Sequence, residues 1–264
     1  MNYCKKIKDF SPLAKIVRLG ILNVSNTNIS DISFLEMDEN IKQLNFNTFK
    51  KIIDFTPITS IEKLEILDAS FTIISDISFL ERLKNIKQLY LNYCLGILDF
   101  IPLSLKETLE ILNIGNTHIF DISFLGKIKN IKDLNLDGCR KIEDFTPISK
   151  IEQLEILDIS HTNISDISFL EKNKNIKDLN LNGCKNIDDF SPISFIETLE
   201  ILNVGYTNIF DISFLESNIN IKRLYLYGCE KIKDVSPMSK LENLEILDIN
   251  YTNKSKFKKN KKSK

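Results

Sequence analysis

Histidine, cysteine and the acidic residues have the chemistry for catalysis, but their spacing in this chain argues against a catalytic site. The sequence contains two histidines, His118 and His161, and neither has a recurring acid or nucleophile in its company. It contains no G-x-G-x-x-G, P-loop, C-x-x-C or H-E-x-x-H motif, the patterns that bind phosphates, metals or redox cofactors. We therefore expect no catalytic residue, no metal and no cofactor, and a protein that is not an enzyme.

The five cysteines recur at multiples of 45 residues, which indicates a structural column rather than disulfides. The chain repeats every 45 residues, and each repeat consists of two similar halves that we expect to stack on one another. Cysteines 45 residues apart then lie two halves apart, roughly 10 Å, beyond the reach of a disulfide. Reduced thiols, together with a start (MNYCKKIKDF) that lacks the apolar run of a signal peptide, predict an intracellular, cytoplasmic protein. The column consists of Cys4, Cys94, Cys139, Cys184 and Cys229.

Aspartate recurs just as regularly, once in every repeat half. A carboxylate that is present in every half is typical of a turn cap and not of a catalytic acid. In one half the aspartate directly precedes I-S-F-L; these residues are Asp31, Asp76, Asp121, Asp166 and Asp211. In the other half it lies three residues before a proline; these residues are Asp9, Asp54, Asp99, Asp144, Asp189 and Asp234.

All of these columns belong to a tandem repeat of 45 residues, made of two similar halves of 22 and 23 residues. In one half, the pattern Leu154-x-x-Leu157-x-Ile159 predicts a short strand with its apolar residues on one face. Ile164 then opens a run of apolar residues spaced three apart, which favours a tight 3₁₀-like return. One half cannot bury its own apolar face, but stacked halves can.

The pattern L-x-x-L-x-L is the signature of a leucine-rich repeat. We predict an α/β solenoid, mostly β: a horseshoe with a concave parallel sheet of about eleven short strands and 3₁₀ or extended returns on the convex side. Residues 1–253 form this solenoid, and residues 254–264 form a basic, disordered tail with seven lysines. The tail either keeps the chain soluble or makes a weak contact with nucleic acid or an anionic surface, including a role in nuclear import.

The segments ISDISFL and DFTPI resemble the ISDISPL segment of short, internalin-type leucine-rich repeats, and the GC-x-x-I half resembles cysteine-containing repeats. This resemblance covers about residues 1–253 and implies a curved solenoid that binds a protein partner on its concave face. Bacterial surface proteins of this type have a signal peptide and a helical cap, and we recognise neither in this sequence. The chain also resembles the leucine-rich repeat gene families of large insect DNA viruses, and an AT-rich genome fits its bias toward Ile, Asn and Lys.

Two more regular patterns concern the returns and the strand edge. Proline in one half and phenylalanine in the other occupy equivalent positions on the return side, where no ladder hydrogen bond is needed. They form either a structural spine or a second binding stripe. Glutamate and lysine alternate at the second position of successive strand motifs, which predicts a ladder of ion pairs that opposes a slip in register.

Tyrosine gives the strongest indication of a binding surface. We number each repeat half from the Leu or Ile that opens it, such as Leu154. Six of the seven tyrosines fall at positions five, seven or eight, which we expect on the concave face. Tyr and Arg dominate binding hot spots because they bury much area at modest entropic cost. The alternative is that tyrosine is merely tolerated on a strand surface, where its β-propensity is good. The predicted partner-binding residues are Tyr206, Arg223, Tyr225, Tyr227 and Tyr251, with a smaller patch of Phe71, Tyr90 and Tyr93.

The sequence therefore predicts a non-enzymatic scaffold or adaptor that binds a protein partner on the concave face of a leucine-rich repeat solenoid. The alternative is a secreted or surface adhesion module of the internalin type. No apolar segment approaches the length of about 18 residues that a membrane span needs, so we expect no membrane span.

Overall fold

The structure is a computed structural model that describes residues 9–16, 18–37 and 39–252. It divides into two compact units, Met1–Ile119 and Phe120–Lys264, and each is described by itself. Cys4 and the basic segment Lys254–Lys264 lie outside the described residues, so the sequence-based expectations for them stay predictions.

Five three-residue strands are found in the described part of the first unit, and each pairs in parallel with the next one along the chain. They are β1 (Ile21–Asn23), β2 (Gln43–Asn45), β3 (Ile66–Asp68), β4 (Gln88–Tyr90) and β5 (Ile111–Asn113). A 3₁₀ return precedes each strand, at Ser11–Lys15, Ser33–Met37, Thr56–Ser60, Ser78–Arg82 and Ile101–Leu105.

The second unit repeats this plan with six strands among its described residues, again each parallel to its neighbour. They are β6 (Asp133–Asn135), β7 (Ile156–Asp158), β8 (Asp178–Asn180), β9 (Ile201–Asn203), β10 (Arg223–Tyr225) and β11 (Ile246–Asp248). Its 3₁₀ returns are Ser123–Lys127, Thr146–Lys150, Ser168–Lys172, Ser191–Phe195, Ser213–Glu216 and Ser236–Lys240.

The strand register aligns a leucine in the middle of every strand. Leu44, for example, pairs with Leu22 on one side and Leu67 on the other, and all three are at most 3 % exposed. The residues on either side of each leucine point to the opposite face, since side chains alternate along a strand. Strands β1 to β10 therefore bury one column of leucine against the returns, whereas Leu247 of β11 is 40 % exposed. We call each repeat half a coil and count its positions from its opening Leu or Ile. Positions three and five of each coil lie on the face opposite the leucines. We call this surface the strand face.

Aspartate caps every described return, as the sequence predicts. In each case its Oδ1 atom accepts a hydrogen bond from the backbone N–H two residues later, at 2.7–2.9 Å. These bonds hold the pKa of carboxyls such as Asp31 and Asp76 below the ordinary value, because they stabilise the charged form. The column is thus structural.

The described cysteines Cys94, Cys139, Cys184 and Cys229 are buried free thiols, which confirms the prediction for these four. Each thiol with a described partner bonds to the backbone of the preceding coil: Cys94 Sγ donates to the Ala69 carbonyl at 3.1 Å, and Cys184 Sγ to that of Ile159 at 3.2 Å. Burial raises the pKa of both thiols, so they stay protonated and unreactive at neutral pH.

We predict a large difference in thiol reactivity between the folded and the unfolded chain. Alkylation without reductant should add five adducts to the unfolded chain, one for each cysteine. In the folded protein, the four buried thiols should react far more slowly than in the unfolded chain, because they are desolvated and protonated. Intact mass spectrometry measures both states. Fewer than five adducts on the unfolded chain would show a disulfide and contradict this prediction.

The ion-pair ladder predicted from the alternating charges is present. In the first unit, Lys87 Nζ lies 3.0 Å from Glu65 Oε2. In the second unit, the same atoms are 2.7 Å apart in each of the pairs Lys177–Glu155 and Lys222–Glu200. Because these pairs are solvent-exposed, each contributes little to the free energy of unfolding. Their role is to favour the correct register.

The predicted leucine-rich repeat architecture, with eleven short parallel strands and 3₁₀ returns in the described residues, is confirmed. The phenylalanine column on the return side is largely buried, with Phe79 and Phe214 each 6 % exposed and Phe55 stacked on Phe79 at 5.6 Å. These contacts favour the structural spine over the second binding stripe. Among the described residues, no helix combines the length and the apolar character needed to cross a bilayer.

Candidate protein-binding surface

The residue at position eight of each coil, in the turn directly after the strand, has an unusual backbone conformation. In every described coil its φ angle lies between 53° and 73°, in the left-handed region. Glycine adopts this region freely and asparagine tolerates it, whereas other residues incur roughly 1–2 kcal/mol. The column consists of Asn26, Thr48, Phe71, Tyr93, Asn116, Gly138, His161, Gly183, Tyr206, Gly228 and Tyr251.

Large aromatic side chains therefore stand at several positions where the backbone favours glycine or asparagine. Phe71, Tyr93, Tyr206 and Tyr251 are 42 %, 44 %, 50 % and 75 % exposed, so little burial compensates for the unfavourable backbone conformation. Departures of this kind from local preference concentrate at functional sites. Four of the eight predicted partner-binding residues belong to this column, and sequence reasoning did not detect the conformation that they share.

In the second unit, Tyr206 and Tyr227 lock together across neighbouring coils. Their ring centroids are 5.2 Å apart in an edge-to-face arrangement of 76°, a geometry that aromatic rings prefer. The Asn203 side-chain amide donates a hydrogen bond to the Tyr227 hydroxyl at 3.1 Å. These contacts fix the orientation of Tyr227, a half-buried residue whose ring would otherwise rotate freely.

Two glycines make room for this ring pair. The Tyr227 ring lies over Gly205, where an added Cβ would be 2.5 Å from Cε2 of the ring, and the Tyr206 ring likewise occupies the space of a side chain at Gly228. Gly228 also needs its φ of 72°. The sequence analysis assigned no role to either glycine, because the relation appears only when neighbouring coils are side by side.

We predict that Gly205→Ala displaces the Tyr227 ring and lowers the free energy of unfolding by about 1 kcal/mol, within the range for overpacked sites. Near-UV circular dichroism and urea denaturation measure the two effects. Gly20→Ala is the matched control, since an added Cβ at Gly20 meets nothing within 4 Å, and it should change little. An unaltered near-UV spectrum for Gly205→Ala would show that the rings do not occupy this arrangement in solution.

The other predicted residues of the second unit surround this pair without stacking on it. Arg223 and Tyr225 are the first and last residues of β10, with Arg223 exposed and Tyr225 half-buried on the strand face. Tyr251 lies in the turn after β11. Among the described residues, neither Tyr225 nor Tyr251 makes a ring contact with Tyr206 or Tyr227. The structure thus shows one tyrosine contact, between Tyr206 and Tyr227, whereas the half-buried Tyr225 and the exposed Tyr251 are separate from it.

Carboxylates occupy the strand face of β6 to β8. Burial and the neighbouring Asp158 raise the pKa of Asp133. Burial also raises the pKa of Asp178, with smaller contributions from Asp158 and Asp133, while the positive charge of Arg223 acts in the opposite direction. The strand face of the second unit therefore has three carboxylates at β6–β8 and a basic and an aromatic residue at β10, followed by one further carboxylate, Asp248, on β11.

Substitution of Tyr251 tests whether the aromatic residues at position eight reduce stability. We predict that Tyr251→Gly raises the free energy of unfolding by about 1 kcal/mol, because glycine adopts positive φ without steric conflict. Tyr225→Gly, at a strand position, should instead lower it by roughly 0.5–1 kcal/mol. Urea denaturation of both variants checks the pair. Equal destabilisation by the two substitutions would contradict the prediction.

His161 is the residue for which sequence reasoning missed a partner. Its Nδ1 atom lies 2.8 Å from Asp137 Oδ1, and its Nε2 atom lies 3.1 Å from the Asn182 side-chain nitrogen. The adjacent Ser160 hydroxyl donates to Asp137 at 2.9 Å and not to the imidazole. Both ring nitrogens therefore have partners, and neither partner is a hydroxyl or thiol that the imidazole could activate as a nucleophile.

The first unit contains the smaller predicted patch. Phe71 and Tyr93 are stacked with centroids 4.5 Å apart and an interplanar angle of 13°. Tyr90, on β4, donates its hydroxyl to Gln88 Oε1 at 3.3 Å. Phe71 and Tyr93 lie in the turns after their strands, whereas Tyr90 lies on the strand itself.

Comparison with known proteins supports the same architecture. A family model described as leucine-rich repeats (2 copies) matches residues 152–194. None of the curated proteins compared with this chain matches it. The chain therefore contains leucine-rich repeats and has the leucine-rich repeat fold, which is typical of protein–protein interaction modules.

Several solved structures have a similar fold. An internalin of Listeria monocytogenes is 25 % identical with a TM-score of 0.83, over 93 % of this chain and 71 % of that one. A leucine-rich repeat protein of Leptospira interrogans is 15 % identical with a TM-score of 0.73, over 94 % and 71 %. The functional domain of InlJ from Listeria monocytogenes, which includes a cysteine ladder, is 20 % identical with a TM-score of 0.65, over 93 % and 56 %.

Proposed function

We propose that this protein is a non-enzymatic scaffold or adaptor that binds a protein partner on the strand face of its second unit and on the turns that follow β9 to β11, which together correspond to the concave face of the sequence analysis. The binding residues are Tyr206, Arg223, Tyr225, Tyr227 and Tyr251. The observation that most supports this proposal is the presence of exposed tyrosines at position eight, where the backbone favours glycine or asparagine. Tyrosine at these positions makes the protein less stable than glycine or asparagine would, and a binding function accounts for its presence.

The charge distribution suggests the kind of partner. Asp133, Asp158 and Asp178 lie on β6 to β8, next to the tyrosine-bearing coils of the same unit. A partner segment with basic residues would pair with these carboxylates while its apolar residues pack on the tyrosine rings. Tyrosine suits this role because it buries a large area with little loss of conformational freedom.

Affinity purification from the source cells, with the parent chain and the Tyr225→Ala/Tyr227→Ala double variant as baits, tests the proposal. A partner that binds the parent and is lost from the double variant supports it. Phe210→Ala is the matched control, because Phe210 is an aromatic residue with 60 % exposure outside the strand face. Retention of every partner by the double variant, with a normal fold, would place the binding site elsewhere.

The proposed location is the cytoplasm, in line with the buried reduced thiols of the described cysteines. The second candidate is a secreted or surface adhesion module, and the similarity to an internalin of Listeria monocytogenes favours it. Detection of the protein outside the cells that produce it would distinguish the two. The origin in a viral gene family and the contact of Lys254–Lys264 with nucleic acid or an anionic surface stay predictions.

A further inference from the structure

An open groove of about 900 Å³ lies at the edge of the first unit, along the turns that follow β1 to β4. Its volume is in the range of ligand-binding pockets. Four coils spaced about 4.8 Å apart give it a length of roughly 14 Å, which matches about four residues of an extended chain. The residues that define its chemistry are Lys50, Lys51, Phe71, Ile73, Tyr93 and Leu95.

One wall of the groove is apolar and exposed. The stacked rings of Phe71 and Tyr93 belong to it. Ile73 and Leu95, two residues further along each coil, are 45 % and 52 % exposed. Solvent-exposed side chains of this size that adjoin one another mark interaction sites more often than isolated ones do.

The repeats themselves provide the comparison that makes this wall unusual. Ile73 and Leu95 stand at position ten of their coils. The same position is polar or charged in the second unit, where it is occupied by Arg140, Asn163, Lys185, Asn208 and Glu230. The fold therefore does not need an apolar residue at position ten, and the change to Ile and Leu is confined to the coils that line the groove.

The backbone adds a second, independent indication. Phe71 and Tyr93 have φ angles of 58° and 60°, a conformation that destabilises a residue with a large side chain. The single stacking contact between the two rings offsets only part of this destabilisation. The aromatic wall thus exists at a net cost in stability.

The other wall of the groove is basic. Lys50 and Lys51 are exposed, and within the described part of the chain neither forms an ion pair. No aspartate or glutamate is among the residues that line the groove, although the whole chain has a formal net charge of −1. Two unpaired ammonium groups beside an apolar wall are complementary to a segment that has both carboxylates and a large apolar side chain.

We propose that this groove binds an extended acidic segment of a partner protein. A large apolar or aromatic side chain of the segment packs against Phe71, Ile73, Tyr93 and Leu95. Adjacent Asp or Glu side chains pair with Lys50 and Lys51. This site is separate from the tyrosine surface of the second unit, and it selects the opposite charge.

The test begins with a random heptapeptide library displayed on phage and panned against the full-length folded protein. The expected result is enrichment of peptides with an aromatic or large aliphatic residue flanked by Asp or Glu. The best peptide is then synthesised with a fluorescent label, and its affinity is measured by fluorescence polarisation. Affinity should fall as salt is raised, since the ion pairs are solvent-exposed.

Two variants locate the binding site. Ile73→Asn/Leu95→Asn places at position ten a residue found there in other coils, so the fold should be retained, and circular dichroism verifies this. Lys50→Glu/Lys51→Glu reverses the charge. Each should weaken peptide binding by about tenfold or more. Lys185→Glu, at position ten of the second unit, is the matched control and should leave affinity unchanged.

Three outcomes would overturn the proposal. The first is the enrichment of basic peptides or of none. The second is unchanged affinity in both groove variants when their fold is intact. The third is concentration-dependent self-association of the parent that Ile73→Asn/Leu95→Asn abolishes, which would assign the groove to a second copy of this chain. None of these measurements depends on the tyrosine surface, so failure here leaves the proposed function standing.

Discussion

Tyr225→Ala and Tyr227→Ala are each expected to weaken binding of the protein partner by about 1–2 kcal/mol, or roughly 5- to 30-fold in affinity. Tyr225 presents its ring on the strand face of β10, and Tyr227 is fixed over Gly205 and against Tyr206. A ring that is already oriented loses little conformational entropy on binding, so its contacts contribute almost in full to the affinity. Truncation to alanine removes that contribution.

Folding stability should change far less than binding does. Neither ring belongs to the leucine core, and we expect the free energy of unfolding to fall by about 1 kcal/mol or less, the value of one aromatic contact. Isothermal titration calorimetry gives the affinity, and urea denaturation gives the stability. Phe210→Ala should affect neither. If both tyrosine variants bind as tightly as the parent chain, the partner does not use this surface.

Lys106→Ala is expected to lower the free energy of unfolding by about 2–4 kcal/mol. Lys106 is 2 % exposed, and its ammonium donates hydrogen bonds to the carbonyl oxygens of Leu80 and, at 3.0 Å, Leu83 in the preceding coil. Truncation removes both hydrogen bonds of the ammonium and leaves a cavity where the long side chain was. This cost is large because buried polar atoms that lose their partner cannot recover one from water.

Lys106→Asn is the matched control, because the repeat already uses asparagine at the equivalent position. Asn173 also follows a 3₁₀ return, and it donates its side-chain amide to the carbonyls of Ile148 and Ile151 at 3.1 and 3.0 Å. The Asn variant should retain most of the stability that the Ala variant loses. Equal stability of the parent and Lys106→Ala at neutral pH would contradict this account.

The dependence on pH provides a separate check on Lys106. Burial lowers its pKa from the ordinary value of 10.5, with Glu81 acting in the opposite direction. Between the lowered pKa and 10.5 the unfolded chain holds more protons than the folded chain, so the stability of the parent rises with pH in that window. Lys106→Asn should lack this rise. The difference between the two urea-denaturation curves across alkaline pH isolates it from other groups.

The sequence by itself determined the repeat, the strands and the columns. Each strand of three residues follows from a local pattern such as Leu154-x-x-Leu157, and each aspartate cap lies two residues from its partner. The Glu–Lys pairs and the buried thiols also follow from the repeat, because a fixed length of 22 or 23 residues per half sets which residues become neighbours. These features could be predicted because each depends either on residues close in sequence or on the constant length of the repeat half.

The tertiary structure decided what depends on the exact position of side chains in adjacent coils. Gly205 and Tyr227 are 22 residues apart in sequence, and only the stacking of their coils shows that one makes room for the other. The same holds for the hydrogen bonds of Lys106 and for the pairing of His161 with Asp137. The left-handed backbone at position eight was equally hidden, because Tyr and Phe there give no sign of a conformation that glycine and asparagine normally mark. A motif records which residues recur, whereas turn geometry and side-chain packing arise from coils that meet only in the folded chain.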